Sequence, residues 1–270
     1  MKTKHKVIIA KLIFKILSFF RLSNNQIVYR NKIKWKLDLS EGIDLSVFLF
    51  GNFERELIEM INKLSDKENF DILDIGANIG VHTLQFAKEY PESKIYSIEP
   101  TQFAYYKLCE NIDLNPNLKN NILKFQTFIS DKNLPEEIYS SWSLKNDKDA
   151  HEHHRGILKK TTGTNIFRLD DFIEKNNVNK NLIIKCDVDG YELNVFKSGY
   201  NFLSKYKPNI IMEFAPYLYK EKGYSQEELV NFFIELNYKF FESKSFMEIE
   251  NISSYIMSLK KGSSVNVFLK

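Results

Sequence analysis

The segment Phe70-Asp-Ile-Leu-Asp-Ile-Gly-Ala-Asn-Ile-Gly-Val-His-Thr83 constrains this chain more than any other. An apolar strand runs into Asp74, then into a turn with glycines at 76 and 80, then into a helix with Leu84 and Ala87 on its apolar face. Such a strand–turn–helix unit lets backbone amides approach a ligand at a helix N-terminus. A dinucleotide fingerprint would need glycines at 76, 78 and 81. Asn78 and Val81 stand there instead, which opposes close approach of a pyrophosphate. An acid at 74 suits a cationic, amine-bearing ligand. The bland alternative is an ordinary strand-to-helix turn of an α/β protein.

The next stretch of chain favours a ligand. Lys94 to Ile98 reads as a second strand and ends in Glu99-Pro100, 25 residues after Asp74. In nucleotide-binding α/β folds an acid at that place accepts hydrogen bonds from a ribose. Pro100 suits the first turn of the next helix, and Phe103 to Leu114 has helical apolar spacing. Further strands are expected at Ile33–Asp38 (with a small N-terminal hairpin), Ile122–Ile129, Leu182–Cys186, Asn209–Glu213, Tyr238–Phe241 and Val265–Leu269. Helices are expected at Phe53–Leu64, Leu169–Asn176, Glu192–Phe202 and Ser225–Leu236, the last opened by a Ser-x-x-Glu capping box. Strands alternating with helices imply an α/β fold with a mainly parallel sheet covered on both faces.

A second acidic cluster, Ile184-Lys-Cys-Asp-Val-Asp-Gly-Tyr-Glu192, begins in a fully apolar strand. The ligand crevice of an open α/β sheet lies at the carboxyl ends of its strands. Asp74, Glu99, Asp131, Asp187 and Glu213 all fall at such ends, and Asp189 is either a site residue or a helix N-cap.

At 270 residues and 43% apolar content, the chain can bury a large core. We divide it into residues 1–65, an N-terminal helix with small accessory elements, and residues 66–270, the ligand-binding domain. A net charge of +3, from 38 basic and 35 acidic residues, is too small to imply nucleic-acid binding. Cys109 and Cys186 are the only cysteines, and read as free thiols of a cytoplasmic protein. Val7 to Phe20 is apolar but broken by Lys11 and Lys15, too short for a membrane span. Residues 1–20 suit peripheral membrane contact, or packing on the domain or on a second subunit as a homodimer. Packing is the commoner solution.

These residues carry a family resemblance. Asp74-Ile-Gly-Ala-Asn-Ile-Gly80, Ile98-Glu-Pro100, Asn111-Ile-Asp-Leu-Asn115, Leu169-Asp-Asp171, Ile184 to Glu192 and Ile211-Met-Glu213 stand in the order found in FkbM-family methyltransferases, and Gly51-Asn-Phe-Glu54 resembles that family's upstream motif. The resemblance spans roughly residues 33 to 245. It implies a Rossmann-like seven-stranded methyltransferase fold with a late antiparallel strand. It also implies S-adenosyl-L-methionine as donor, held by Asp74, Gly76, Asn78, Gly80, Glu99 and Asp131, and O-methylation of a sugar or similar small-molecule hydroxyl. One departure is Asp189, where the family commonly has Glu. It makes the segment similar to the Asp-x-Asp-x-Tyr pattern of metal-dependent sugar O-methyltransferases.

An alcohol acceptor is a weak nucleophile and needs a base or a metal. Asp187 and Asp189 are the candidate catalytic pair and the candidate Mg²⁺ ligands. The rival base is a histidine of the 151–154 run, His154 above all, within a polar segment 140–160 expected to form a loop over the site. His151, His153 and His154 also read as a solvated surface run. His82 is placed either beside the cofactor or in packing. Two other functions stay open: a nicotinamide-dependent oxidoreductase, which Asn78 and Val81 oppose, and a non-catalytic nucleotide-binding scaffold.

Overall fold

The computed structural model describes residues 10–15, 23–51, 54, 56–64, 69–144, 150–151, 156–260 and 262–270. Its centre is a seven-stranded sheet. The strands are β3 (Asp71–Ile75), β4 (Ile95–Ile98), β5 (Ile122–Phe125), β10 (Leu182–Cys186), β11 (Asn209–Phe214), β12 (Phe240–Glu242) and β13 (Val265–Leu269). They lie in the order β12-β13-β11-β10-β3-β4-β5. β5, β4, β3, β10 and β11 run parallel, and β13 inserts antiparallel between β11 and β12. The expected Rossmann-like methyltransferase order is present. All residues of β3, β4 and β10 are buried, as strands covered on both faces by helices must be.

One face of the sheet carries Leu73, Tyr96, Ile184 and Met212, packed beneath the helices Leu169–Lys175 and Gln226–Glu235. The opposite face carries Ile72, Ile95, Ile183 and Ile211, packed against the helices Val81–Glu89 and Gln102–Asp113 and the N-terminal elements. The latter are a hairpin of β1 (Asn25–Arg30) and β2 (Ile33–Asp38), with the helices Gly42–Phe50 and Glu56–Leu64 after it.

Two motifs of the sequence prove to be structural clamps. Asn111 and Asn115, one helical turn apart, face the free edge of β2. Asn111 Oδ1 accepts from Lys36 N at 2.8 Å, and its amide donates to Ile79 O at 3.0 Å. Asn115 accepts from Lys34 N at 2.9 Å and donates to Lys34 O at 2.7 Å. A sheet edge buried in protein must have its backbone groups paired, and the asparagines act as a substitute strand. Asp170, in turn, caps the helix Tyr200–Tyr206 by accepting from Phe202 N at 2.9 Å.

Several expectations change. The strand expected over 122–129 breaks at Gln126: β5 stays in the main sheet, while β6 (Thr127–Ile129) pairs with β9 (Asn165–Phe167). The helix expected over 192–202 is two helices, Glu192–Lys197 and Tyr200–Tyr206, separated at Ser198-Gly199, where a Cβ on Gly199 would meet Leu169 Cδ2 at 2.5 Å. Pro100 is not in the first helical turn. Thr101 is the N-cap, its side chain accepting from Ala104 N. The 140–160 segment is not a plain loop, since β7 (Glu137–Trp142) and β8 (Gly156–Lys160) form an antiparallel hairpin. The capping box at Ser225 and Glu228 is formed as expected.

Of the first twenty residues, only the helical stretch 10–15 is described; Ala10, Ile13 and Phe14 pack on the core, and Leu12 is exposed. The remainder of the segment read for membrane contact, and the division at residue 65, lie outside the described residues. Among the described residues no helix is long and apolar enough to cross a membrane.

Candidate active site

A cleft opens over the carboxyl ends of β3, β4 and β10, where the strand order reverses direction about β3. Its floor is the glycine turn. Gly76 N and Ala77 N both donate to Ile98 O, at 3.0 and 2.9 Å, so the turn is tied to the end of β4. Gly76, Asn78 and Gly80 all have positive φ, of 81°, 50° and 88°. Asn tolerates that region better than other side chains, which is why position 78 need not be glycine. Gly76 is required for a second reason: a Cβ there would collide with the Asp187 carbonyl. The glycine turn and the 187–191 loop therefore meet so closely that there is no room for a side chain at 76.

Glu99 is buried behind the turn. Its Oε2 accepts from Asn78 N at 3.0 Å, and its Oε1 accepts from Thr101 N at 2.9 Å and from the Thr101 hydroxyl at 2.5 Å. Burial pushes its carboxyl above the ordinary range even against these hydrogen bonds. Asp74 lies underneath the cleft rather than in its lining. It is fully buried, accepts from the Thr83 hydroxyl at 2.7 Å and sits 3.1 Å from Lys185 Nζ. Gly80 also lies beneath the lining, packed against Leu108. Asp131 is held to one side by Asn194, whose amide donates to it at 3.2 Å, and it does not line the cleft.

Asp187 and Asp189 line the opposite wall with Glu213 from the end of β11 and Tyr217. Burial, and then the charges of Asp187 and Glu192, push the Asp189 carboxyl up to about 8. Burial, and after it Asp187 and Asp189, pushes Glu213 well above its ordinary value. Glu192 is not in the lining. Its Oε1 is 3.4 Å from Val188 N and 3.3 Å from Gly190 N, both of which donate to it, so it holds the 187–191 loop from below. Burial raises its carboxyl to about 7.

The hairpin β7–β8 forms the roof. Ile138, Tyr139, Ser140 and Trp142 reach the cleft. Trp142 packs so closely on Gly42 that any Cβ at 42 would overlap its indole. On the other side His151 is 2.9 Å from Glu221 and stands edge-on to Tyr139 at 4.9 Å. His151 is therefore buried between the roof and the segment 216–222, not the solvated surface residue expected. His153 and His154, the latter an expected catalytic residue, lie outside the described residues. His82 is buried in the lining with Nε2 3.6 Å from Glu54 Oε2. Burial would raise the Glu54 carboxyl, but His82, Lys185 and Asn266 together bring it below the ordinary value.

Two lining residues carry weight that sequence reasoning did not assign them. Lys185 sits in the middle of β10, 3% exposed. Lysine is almost never buried unless paired, so a lysine inside an otherwise apolar strand was a readable signal. Burial disfavours its charge, but Asp74 and Asp187 outweigh this and raise its pKa. Ser140 Oγ is buried in the lining with no hydrogen-bond partner among the described residues. Nothing in the sequence marks it.

The site fits a cationic, ribose-bearing ligand. Asn78 and Glu99 line the cleft beside a helix N-terminus, and the wall opposite is acidic. It does not fit a bound divalent metal. Among the described residues no three His, Cys, Asp or Glu side chains converge as a ligand set, and the cation that meets Asp187 is Lys185, 3.8 Å away.

Comparison with known proteins places the chain in a family. The family described as Methyltransferase FkbM domain matches residues 74–240, well over half of the chain. A curated relative, the methyltransferase sdnD of Sordaria araneosa, is 28% identical over an alignment of 155 residues that covers 47% of this chain and 59% of that protein. The match thus spans about three-fifths of the relative's length. Among solved structures, an FkbM methyltransferase from Methylobacillus flagellatus aligns at TM-score 0.47 and 14% identity, over 75% of this chain and 44% of that one. TYW2 of M. jannaschii, in complex with AdoMet, aligns at TM-score 0.40 and 17% identity, over 92% and 84%.

Proposed function

Because this chain belongs to the FkbM methyltransferase family, we propose that its cleft holds S-adenosyl-L-methionine over the glycine turn and methylates a hydroxyl of a carbohydrate or similar polyol. The observation that carries the donor half is Glu99. Its Oε1 accepts twice from Thr101, which fixes the carboxyl, while its Oε2 accepts only from Asn78 N and keeps acceptor capacity for a ligand in the cleft that Glu99 lines. A fixed carboxylate in that position recognises a ribose diol. When bound, the donor supplies an electrophilic methyl group for in-line displacement, so much of the protein's contribution is positioning.

The acceptor half supports a polyol. Tyr139, Trp142, Tyr191 and Tyr217 offer aromatic faces, while Asp187, Asp189, Glu213 and Ser140 offer polar atoms among them. Apolar faces pack on C–H surfaces while a few placed polar groups fix hydroxyl orientation. We assign Asp187 as the group that takes the hydroxyl proton. Asp189, with its carboxyl raised to about 8, keeps its own proton at neutral pH and donates a hydrogen bond instead. His82 beside Glu54 is the second reading, favoured by its place in the lining.

Calorimetry tests the donor: S-adenosylhomocysteine should bind, and NAD should not. Labelled S-adenosylmethionine with a panel of sugars tests the acceptor. Asp187→Asn should abolish turnover while leaving S-adenosylhomocysteine affinity largely intact. Loss of turnover in His82→Gln, with Asp187→Asn still active, would move the base to histidine.

A further inference from the structure

We propose that Lys185 is the resident cation of this cleft, holding the place between donor turn and acceptor-side carboxylates that a divalent ion would otherwise take, and thereby positioning both. The inference rests on the donor and acceptor reading given above.

Lys185 Nζ donates to the Gly76 carbonyl at 2.9 Å, meets Asp74 Oδ1 at 3.1 Å and reaches Asp187 Oδ2 at 3.8 Å. An ammonium has three donors, and these partners belong to three different places. Asp74 is the penultimate residue of β3, Gly76 opens the glycine turn, and Asp187 opens the loop after β10. The lysine side chain is buried and Asp74 is fully buried, so solvent screens this pair little. Asp187 is half-buried and faces the cleft. One charge thus neutralises a carboxylate under the donor and orients a carboxylate beside the acceptor.

The backbone reinforces the link. Asp187 N donates to Ile75 O at 3.1 Å, and the Asp187 carbonyl occupies the space that a side chain at Gly76 would need. A shift of the donor turn must therefore move Asp187. A divalent ion placed on Asp187 would stand close to the Lys185 ammonium and be repelled by it, since like charges disfavour each other strongly where water is scarce. Magnesium also prefers a near-octahedral set of oxygens, and no such protein set converges among the described residues.

The test uses the full chain with Mn²⁺ and S-adenosylhomocysteine as probes. Electron paramagnetic resonance should show Mn²⁺ remaining free in the wild type, with or without saturating S-adenosylhomocysteine. Lys185→Met should weaken S-adenosylhomocysteine by about ten- to hundredfold, the range for losing hydrogen bonds to a charged group. If that variant does not fold, Asp74→Asn with Lys185→Met removes the buried pair together and should restore the melting temperature. In the double variant the affinity should stay weak, because the Gly76 carbonyl and Asp187 remain unheld. A stoichiometric Mn²⁺ site in the wild type overturns the proposal. So does full recovery of affinity in the double variant, which would make Lys185 a structural ion pair only. Failure of the wild type to bind S-adenosylhomocysteine would instead strike the donor reading, and the Mn²⁺ result would still judge the cation claim.

Discussion

The two walls of the cleft satisfy their polar groups differently. At the ends of β3 and β4, Asp74, Asn78 and Glu99 are all held by near neighbours: Thr83 and Lys185 for Asp74, the Ile79 amide for the Asn78 side chain, and Thr101 and the Asn78 amide for Glu99. Across the cleft, Asp189 and Glu213 are raised in pKa by burial and by neighbouring acids, and the Ser140 hydroxyl has no hydrogen-bond partner among the described residues. A wall that closes its own hydrogen bonds is preorganised, and a ligand there meets fixed geometry. A wall with buried groups left over is completed by what binds it, because such groups cost free energy until they are paired. The contrast teaches that donor recognition is built into the fold here, whereas the acceptor side keeps polar capacity in reserve.

The sharpest way to break the comparison is Gly76→Ala. A Cβ would collide with the Asp187 carbonyl at a residue with φ of 81°. We expect about 3 kcal/mol or more of destabilisation, in the range of severe single-site effects, and loss of S-adenosylhomocysteine binding by calorimetry. A variant that binds normally would show that the two walls are not rigidly joined. Next, Glu99→Ala should weaken S-adenosylhomocysteine by about 1.5–3 kcal/mol, as expected for hydrogen bonds to a charged group. Unchanged affinity would remove Glu99 from the donor site.

Glu192 sharpens the comparison from beneath the acceptor wall. Its carboxyl is raised to about 7 in the folded chain. The folded state therefore keeps a proton that the unfolded chain loses near its ordinary value. Stability from this group is fully present below the ordinary glutamate value and declines as pH rises toward 7. Glu192→Gln should gain about 1–3 kcal/mol over wild type near ~pH 8, and the gain should vanish near ~pH 4. Thermal melts across that window decide it, and a pH-independent difference would refute the assignment.

The smallest expected effect is at Ser140. Removing a buried hydroxyl that has no hydrogen-bond partner among the described residues should stabilise the ligand-free protein slightly, by about 0.5–1 kcal/mol at most, since none of the described hydrogen bonds is lost. Ser140→Ala should leave S-adenosylhomocysteine affinity unchanged while lowering turnover. A drop in S-adenosylhomocysteine affinity would place Ser140 on the donor wall instead.

The donor wall was readable in the residues because its determinants are local. Gly76, Asn78 and Gly80 adopt positive φ within one turn, and Glu99 ends the adjacent strand. Spacing along the chain therefore reports spacing in space. The apolar runs of β3, β10 and β13 and the box at Ser225 were legible for the same reason. Even so, Asp74, placed by resemblance beside the ligand, lies under the turn, because Lys185, 109 positions beyond Gly76, draws its charge inward.

The acceptor wall was readable only in Asp187, Asp189 and Glu213, which lie at or just past the ends of their strands. Its groups come from the 137–160 hairpin, the end of β11 and the 187–191 loop, and no local pattern joins them. Whether His151 is solvated or buried depends on Glu221, seventy residues away. The break at Gln126 depends on β9 competing for β6. By itself the sequence determined the strands of the main sheet, the glycine turn and the acid that follows the adjacent strand, through periodicity and backbone sterics that act over a few residues. Tertiary structure alone decided which carboxylates share a cation, which keep their protons and which hydroxyl waits for a ligand. Electrostatics and desolvation depend on neighbours in space, and the chain brings those neighbours together only when it folds.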